Sequence, residues 1–215
     1  VSTQNISENE LVFNGLNYSD GACVHALRKS NLKWQVIDSN EIHSYAAEQL
    51  RVGKIVAWYE GKSEHGPRAL GHRSFLADPR FPEMKDRLNN TIKFREPFRP
   101  IAPVVLELDM KHCSDDIDRS PFMMHIVSTS EEFQRANPSA IHIDGSARVQ
   151  TVNYDNPMGK IIRSLKEIDG GYSILNTSFN CREPIVETPF DAINTFLKVP
   201  VDILCMNGKY LVEKG

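Results

Sequence analysis

The chain has 215 residues, 40% of them hydrophobic and 25% charged, with a formal net charge of −3 and a pI near 6.2. That is enough apolar material for a sizeable core, and the acidic balance argues against general affinity for nucleic acid or an anionic membrane. No apolar run approaches the roughly 18 residues that span a bilayer, and four scattered cysteines without a C-x-x-C pair are expected as reduced thiols of a cytoplasmic protein.

Residues 1–20 are polar and aperiodic and read as a tether; a first residue of Val rather than Met fits a piece cut from a longer protein. Ser19-Asp20 is positioned to cap a helix reaching Ser30, and Trp34 to Ile37 is strand-like. Asn40 to Arg51 reads as an amphipathic helix with Ile42, Tyr45, Ala46 and Leu50 on one side, capped by Ser39 or Asn40 and closed at Gly53. Lys54 to Tyr59 is a buried strand by its unbroken apolar run, emptying into a turn with Gly61 and Gly66-Pro67.

Ser74 to Ala77 is a short apolar segment stopped at Asp78-Pro79. Glu83 to Ile92 has helical spacing through Met84, Leu88 and Ile92, leaving Arg87 and Asn90 toward water. Lys93 to Pro100 contains two prolines and is expected as an extended loop before a strand from Ala102 to Leu108. Lys111 to Arg119 reads as exposed, Phe122 to Val127 as a strand and Glu131 to Ser139 as a polar connection. Ile141 to Ile143 and Ala147 to Val152 are strand candidates around Asp144-Gly145.

Pro157 to Ile168 is a helix packing Ile161, Ile162, Leu165 and Ile168, released at Gly170-Gly171. Tyr172 to Leu175 is a strand entering a polar turn at Asn176 to Asn180; Thr188-Pro189 starts a helix to Leu197, and strands follow at Val201 to Met206 and Tyr210 to Val212. The mixture predicts an α/β (α+β) fold, a single twisted sheet with helices packed on it, as one domain over 1–215.

Charge is distributed unevenly. From Arg68 to Arg99 eight cations face four anions, a net +4, which leaves −7 for everything else. Such a segment in an acidic protein points to a compact polyanion rather than a nucleic-acid backbone. Three polar clusters stand where predicted strands run into turns: Arg68 with Arg73-Ser74, Lys93 with Arg99, and Asn176-Thr177-Ser178 with Asn180. Arg148 lies on a fourth strand candidate. Arginine forks suit phosphate or carboxylate, lysine adds a point charge, and amides and hydroxyls orient.

Singly, each has a plainer use as a surface cation or a turn cap; their coincidence points to a cradle for a nucleoside triphosphate and a second anion. The chain contains no G-x-x-x-x-G-K-[ST], G-x-G-x-x-G or H-E-x-x-H pattern, and His142-Ile143-Asp144 offers too few groups for a metal centre.

Four strings carry a resemblance: Gly61-x-x-Glu64-x-Gly66-Pro67-Arg68-Ala69-Leu70-Gly71-x-Arg73-Ser74, Lys93 to Pro100, Asp144 to Val152, and Leu175 to Asn180. In this order they resemble the C-terminal domain of the O-carbamoyltransferases of nodulation-factor and antibiotic biosynthesis. The resemblance implies a YrdC-like twisted sheet that makes carbamoyl adenylate from carbamoyl phosphate and ATP with Mg²⁺. It also implies an N-terminal actin-like, iron-binding domain, unmatched here, that transfers the group to an acceptor hydroxyl.

The same resemblance sets Arg68, Lys93, Arg99, Arg148 and Ser178 around the phosphates and the carbamoyl group, the first three as catalytic. His65 stands where the family usually has an aromatic, and His72 where Asn is frequent. Two other readings compete: a module for double-stranded RNA, against which the −7 remainder speaks, and a domain inert until its partner completes the site.

Overall fold

The computed structural model describes residues 8–214. In chain order they form α1 (Glu8–Val12), α2 (Asp20–Lys29), β1 (Trp34–Val36), α3 (Ile42–Arg51), β2 (Val56–Tyr59), β3 (Arg73–Ala77) and α4 (Met84–Arg87). A π-helical turn (Leu88–Lys93) leads to β4 (Ala102–Leu106), a 3-10 turn (Glu107–Asp109), α5 (Met110–Cys113), β5 (Ile126–Ser128), α6 (Glu131–Ala136) and a second 3-10 turn (Pro138–Ala140). The chain closes with β6 (Ser146–Arg148), β7 (Gln150–Val152), α7 (Pro157–Asp169), β8 (Ser173–Ser178), α8 (Pro189–Lys198), β9 (Ile203–Met206) and β10 (Tyr210–Glu213).

Eight strands make one mixed sheet in the order β1-β10-β9-β2-β3-β8-β4-β7, and β5 pairs with β6 in a separate ribbon. β2 runs parallel to β9 and β4 parallel to β7; the other neighbours are antiparallel. On one face α3 and α7 bury Ile42, Ala46, Leu50, Ile161, Ile162 and Leu165 against Val56, Trp58, Leu76 and Ile174. On the other, Leu27 of α2 and Phe196 of α8 join Ala57, Tyr59, Phe75 and Leu175. Each such side chain contributes about 1.5–3 kcal/mol when fully buried. Cover on both faces is why Lys54 to Tyr59 shows no polar alternation: Val56 and Trp58 serve one core, Ala57 and Tyr59 the other.

Register decides where a site can form. Tyr59 pairs with Arg73, Ser74 with Ser178, and Asn176 with Ala102. The end of β2, the start of β3, the end of β8 and the start of β4 therefore share one edge of the sheet. Among the described residues no helix is long and apolar enough to cross a membrane, and all four thiols are free.

Several local expectations give way. The described part of the tether is docked: His65 N–H donates to Val12 O at 2.7 Å, Gly15 N–H to Ser63 O at 3.1 Å, and Phe13 stacks on His72. The tether's residues 1–7 lie outside the described residues. Neither Ser39 nor Asn40 caps α3, whose cap position, Glu41, makes no side-chain bond. Arg87 does not simply face water; it donates to Gly53 O and to Asp202.

The predicted helix to Ile92 turns π-helical at Leu88 because Asn89 is fully buried and bonded to the following loop. β4 stops at Leu106, and the segment expected as exposed opens inside α5 with a buried Cys113. Glu131 to Ser139 is α6 and a 3-10 turn, with Ser130 capping and Phe133 in the core. The predicted strand at Phe122 to Val127 shrinks to β5. Ile141 to Ile143 forms no strand, since a turn closes His142 onto Ser146 and leaves Ile143 in water. Ile168 is 38% exposed rather than packed. Asn176, Thr177 and Ser178 belong to β8 itself, not to a turn.

Candidate functional site

The glycine-rich loop between β2 and β3 is held by buried polar bonds. Glu64 Oε1 accepts from the backbone N–H groups of Leu70 (2.7 Å), His72 (2.8 Å) and Arg73 (3.2 Å). From β8, Asn176 Nδ2 donates to Ala69 O at 3.0 Å and to Gln150 Oε1 at 2.8 Å, and Gln150 Nε2 donates to Leu70 O at 3.0 Å. With its neighbours so fastened, Arg68 stands out from the loop into a cleft.

That cleft is lined by Arg68, Arg95 and Arg148, with Asn176, Thr177 and Ser178 on one wall and Ile101, Ala102 and Met123 among its apolar groups. Past Arg68 and Arg148 it opens into an apolar annex of about 390 Å³ bounded by Val12, His65, Leu70, Phe122, Met123 and Met124. Neither part has an acidic residue in its lining. Larger hollows, near Asn153 and near Lys160, mix carboxylates with cations, and the first adjoins the annex through Leu70 and Phe122.

Like charges face each other across the cleft. Partial desolvation and then Arg148 push Arg68 below the usual guanidinium range, and burial followed by Arg99 does the same to Arg95. Among the described residues Arg68, Arg95 and Arg148 form no ion pair. On the wall, Asn176 Oδ1 is buried without a hydrogen-bond partner.

The predicted residues divide into four groups. Arg68, Arg148, Asn176, Thr177 and Ser178 meet at the cleft. Lys93 and Asn180 stand behind Ser178: the Lys93 ammonium donates to Ser178 O (2.9 Å), Ser178 Oγ (3.0 Å), Asn180 O (2.9 Å) and Asn180 Oδ1. Burial, then Arg95, pushes Lys93 down to about 7. Arg99 is exposed at the rim, beside Pro100 of the cleft and 3.8 Å from Glu96.

Arg73 and Ser74 require correction, because both are fully buried and neither lines the cleft. The Arg73 guanidinium lies over the Tyr59 ring and is spent on the carbonyls of Glu60, Gly61 and His72. Reasoning from sequence passed over Arg95, Asn89, Glu64 and Gln150. Arg95 lay within the cationic run, and Glu64 and Gln150 within the strings that carry the resemblance; nothing short of the tertiary bonds marks Asn89.

A family model described as carbamoyltransferase C-terminus matches residues 47–214. Nodulation protein NolNO of Sinorhizobium fredii is 41% identical over 181 residues, which is 81% of this chain and 26% of that protein. Nodulation protein NolO of Bradyrhizobium diazoefficiens is 43% identical over 82% of this chain and 33% of its own. The 3'-hydroxymethylcephem-O-carbamoyltransferase of Streptomyces clavuligerus is 35% identical over 79% and 31%.

The chain thus spans about a quarter to a third of the length of these relatives. Among solved structures, P. abyssi Sua5 complexed with L-threonine shares the fold at a TM-score of 0.56 and 16% identity, over 80% of this chain and 48% of that one. Full-length HypF in its phosphate- and nucleotide-bound form does so at 0.56 and 19%, over 80% and 26%. The sheet and its helices therefore have the YrdC-like arrangement.

Proposed function

Since the chain belongs to the carbamoyltransferase C-terminus family, we propose that its cleft binds ATP and carbamoyl phosphate and forms carbamoyl adenylate. The observation that carries this reading is a recess into which guanidinium groups converge with no carboxylate in its lining. A bound polyanion relieves that repulsion, and arginine forks match phosphate oxygens. The buried, unpartnered Asn176 Oδ1 is an acceptor at the same wall, suited to the amide N–H of a carbamoyl group. The apolar annex has room for a nucleobase beside the phosphates.

The chemistry balances in two steps. Water releases phosphate from carbamoyl phosphate, leaving carbamate. A carbamate oxygen then attacks the α-phosphorus of ATP, the bridging P–O bond breaks, and pyrophosphate departs with the electron pair. Arg68 and Arg148 hold the reactants and steady charge on the leaving group, while Lys93 keeps Ser178 in place. Mg²⁺, when bound, neutralises phosphate charge; since the described residues offer no cluster of three metal ligands, the triphosphate would bring it. Transfer to the acceptor hydroxyl is assigned to the actin-like domain of the longer enzymes.

The test is direct. The chain, given ATP, Mg²⁺ and carbamoyl phosphate, releases pyrophosphate, and calorimetry detects ATP binding. Neither signal appearing would end the proposal. Binding without turnover, with activity appearing once the N-terminal half is added, would place the completed site between the two.

A further inference from the structure

We propose that residues 12–16 are a strap over the apolar annex, and that docking of the strap and filling of the annex by a nucleobase favour one another. The proposal rests on the reading of the cleft as a nucleotide site, and it concerns the base rather than the phosphates.

The strap lies along the loop between β2 and β3 and is tied to it by backbone. His65 N–H donates to Val12 O at 2.7 Å, Gly15 N–H to Ser63 O at 3.1 Å, and Ser63 N–H to Leu16 O at 3.2 Å. Glycine is needed at position 15 for this approach, since a Cβ there would lie 1.9 Å from Ser63 Oγ and 2.9 Å from Ser63 O. Phe13 stacks on His72 with ring centroids 4.0 Å apart, and the imidazole is itself fixed where Nδ1 donates to Lys62 O at 2.6 Å. His65 and His72, the two departures from the family pattern in this string, are thus both contacts of the strap.

Neighbouring strap residues serve different cavities. Val12 bounds the annex with His65, Leu70 and Met123, whereas Phe13 bounds the larger hollow near Asn153. Leu70 and Phe122 line both. The strap is therefore part of the partition between them, and lifting it takes a wall from the annex.

Its attachment is light. Ser63 is buried, but no residue from 10 to 17 is: Val12, Phe13 and Gly15 are half-buried, and Leu11 and Leu16 are exposed. A segment held by a few backbone bonds and little apolar burial opens locally at low cost. The loop beneath does not depend on it, because Glu64, Gln150 and Asn176 fasten residues 69–73 independently. Undocking should therefore cost the base its wall while leaving Arg68 in place for the phosphates. A base against Val12 adds contacts made only in the docked state. Linkage then requires that docking raise affinity by the same factor by which the base suppresses undocking.

Hydrogen exchange and calorimetry test this on the parent, Gly15→Val and Phe13→Ala, with ATP and with tripolyphosphate, which has no base. Gly15 lines neither cavity nor the cleft, so its substitution reaches the ligand only through docking. Both variants should weaken ATP about tenfold and tripolyphosphate less than about twofold. In the parent, saturating ATP should slow exchange at the Gly15, Ser63 and His65 amides by about the same tenfold factor, and tripolyphosphate should not.

If ATP binds the variants like the parent and leaves those amides unchanged, the strap role is refuted and the nucleotide reading stands. Equal weakening of ATP and tripolyphosphate would also refute it, since the strap would then act on the loop and not on the annex. If the parent binds neither ligand, the nucleotide reading falls and takes this inference with it.

Discussion

Glu60 follows directly on β2, and burial pushes its carboxyl up to about 7, against the pull of Lys160 and Arg73. The folded state therefore keeps a proton that the unfolded chain releases near 4.5, and stability declines as pH rises between those values. Glu60→Gln should abolish that decline. Urea titrations should find it more stable than the parent by about 2–3 kcal/mol at a pH of about 8, and equal to it at about 4. Lys93 makes a different expectation. With its ammonium removed in Lys93→Met, half-buried acceptors on Ser178 and Asn180 lose their donor. A stability loss of about 2–4 kcal/mol should appear in the same assay. Arg99→Ala, at an exposed rim position, should shift stability by no more than about 0.5 kcal/mol.

At the level of elements, the loop joining β2 to β3 has no regular structure and depends on backbone shape. Gly71 has φ +119°, and a Cβ there would lie 2.6 Å from the Met158 methyl of α7. Gly71→Ala should cost about 2–3 kcal/mol in thermal or chemical unfolding and weaken ATP as Arg68 loses its mount. Helix α8 offers a milder case: Thr188 and Asp191 form a capping box, so Thr188→Ala should cost about 1 kcal/mol. That helix was legible because Thr-Pro at its start and its apolar stripe agree. The start of α7 was legible for the same reason, with Asn156 capping and Pro157 at the first position. The π-helical turn was not, since apolar spacing through Met84, Leu88 and Ile92 is common to both helix types and only the buried Asn89 distinguishes them.

For the whole molecule, the sheet gathers strand ends at one edge while the rest of the surface stays acidic on balance. The positive charge is therefore concave and local. Duplex RNA should give no retained complex in a gel shift at physiological salt, whereas ATP should bind with an affinity that falls as salt rises. A stable RNA complex would reverse this assignment of the cationic surface.

Local pattern, by itself, determined the mixed α/β class, most helices, the buried character of β2, the concentration of cations and the family motifs. Those properties reside in neighbouring residues, where spacing and composition act directly. Tertiary structure alone decided which cations face the cleft. Arg68 and Arg73 are near in sequence, yet the pleat and register at the start of β3 bury Arg73 under backbone carbonyls and leave Arg68 outside. Arg95 rather than Lys93 lines the cleft because Ser178, 85 residues further along the chain, claims the Lys93 ammonium, while Asn89 claims only the Arg95 Nε. Such a choice depends on bonds between residues distant along the chain, and the spacing of charges along it does not specify them.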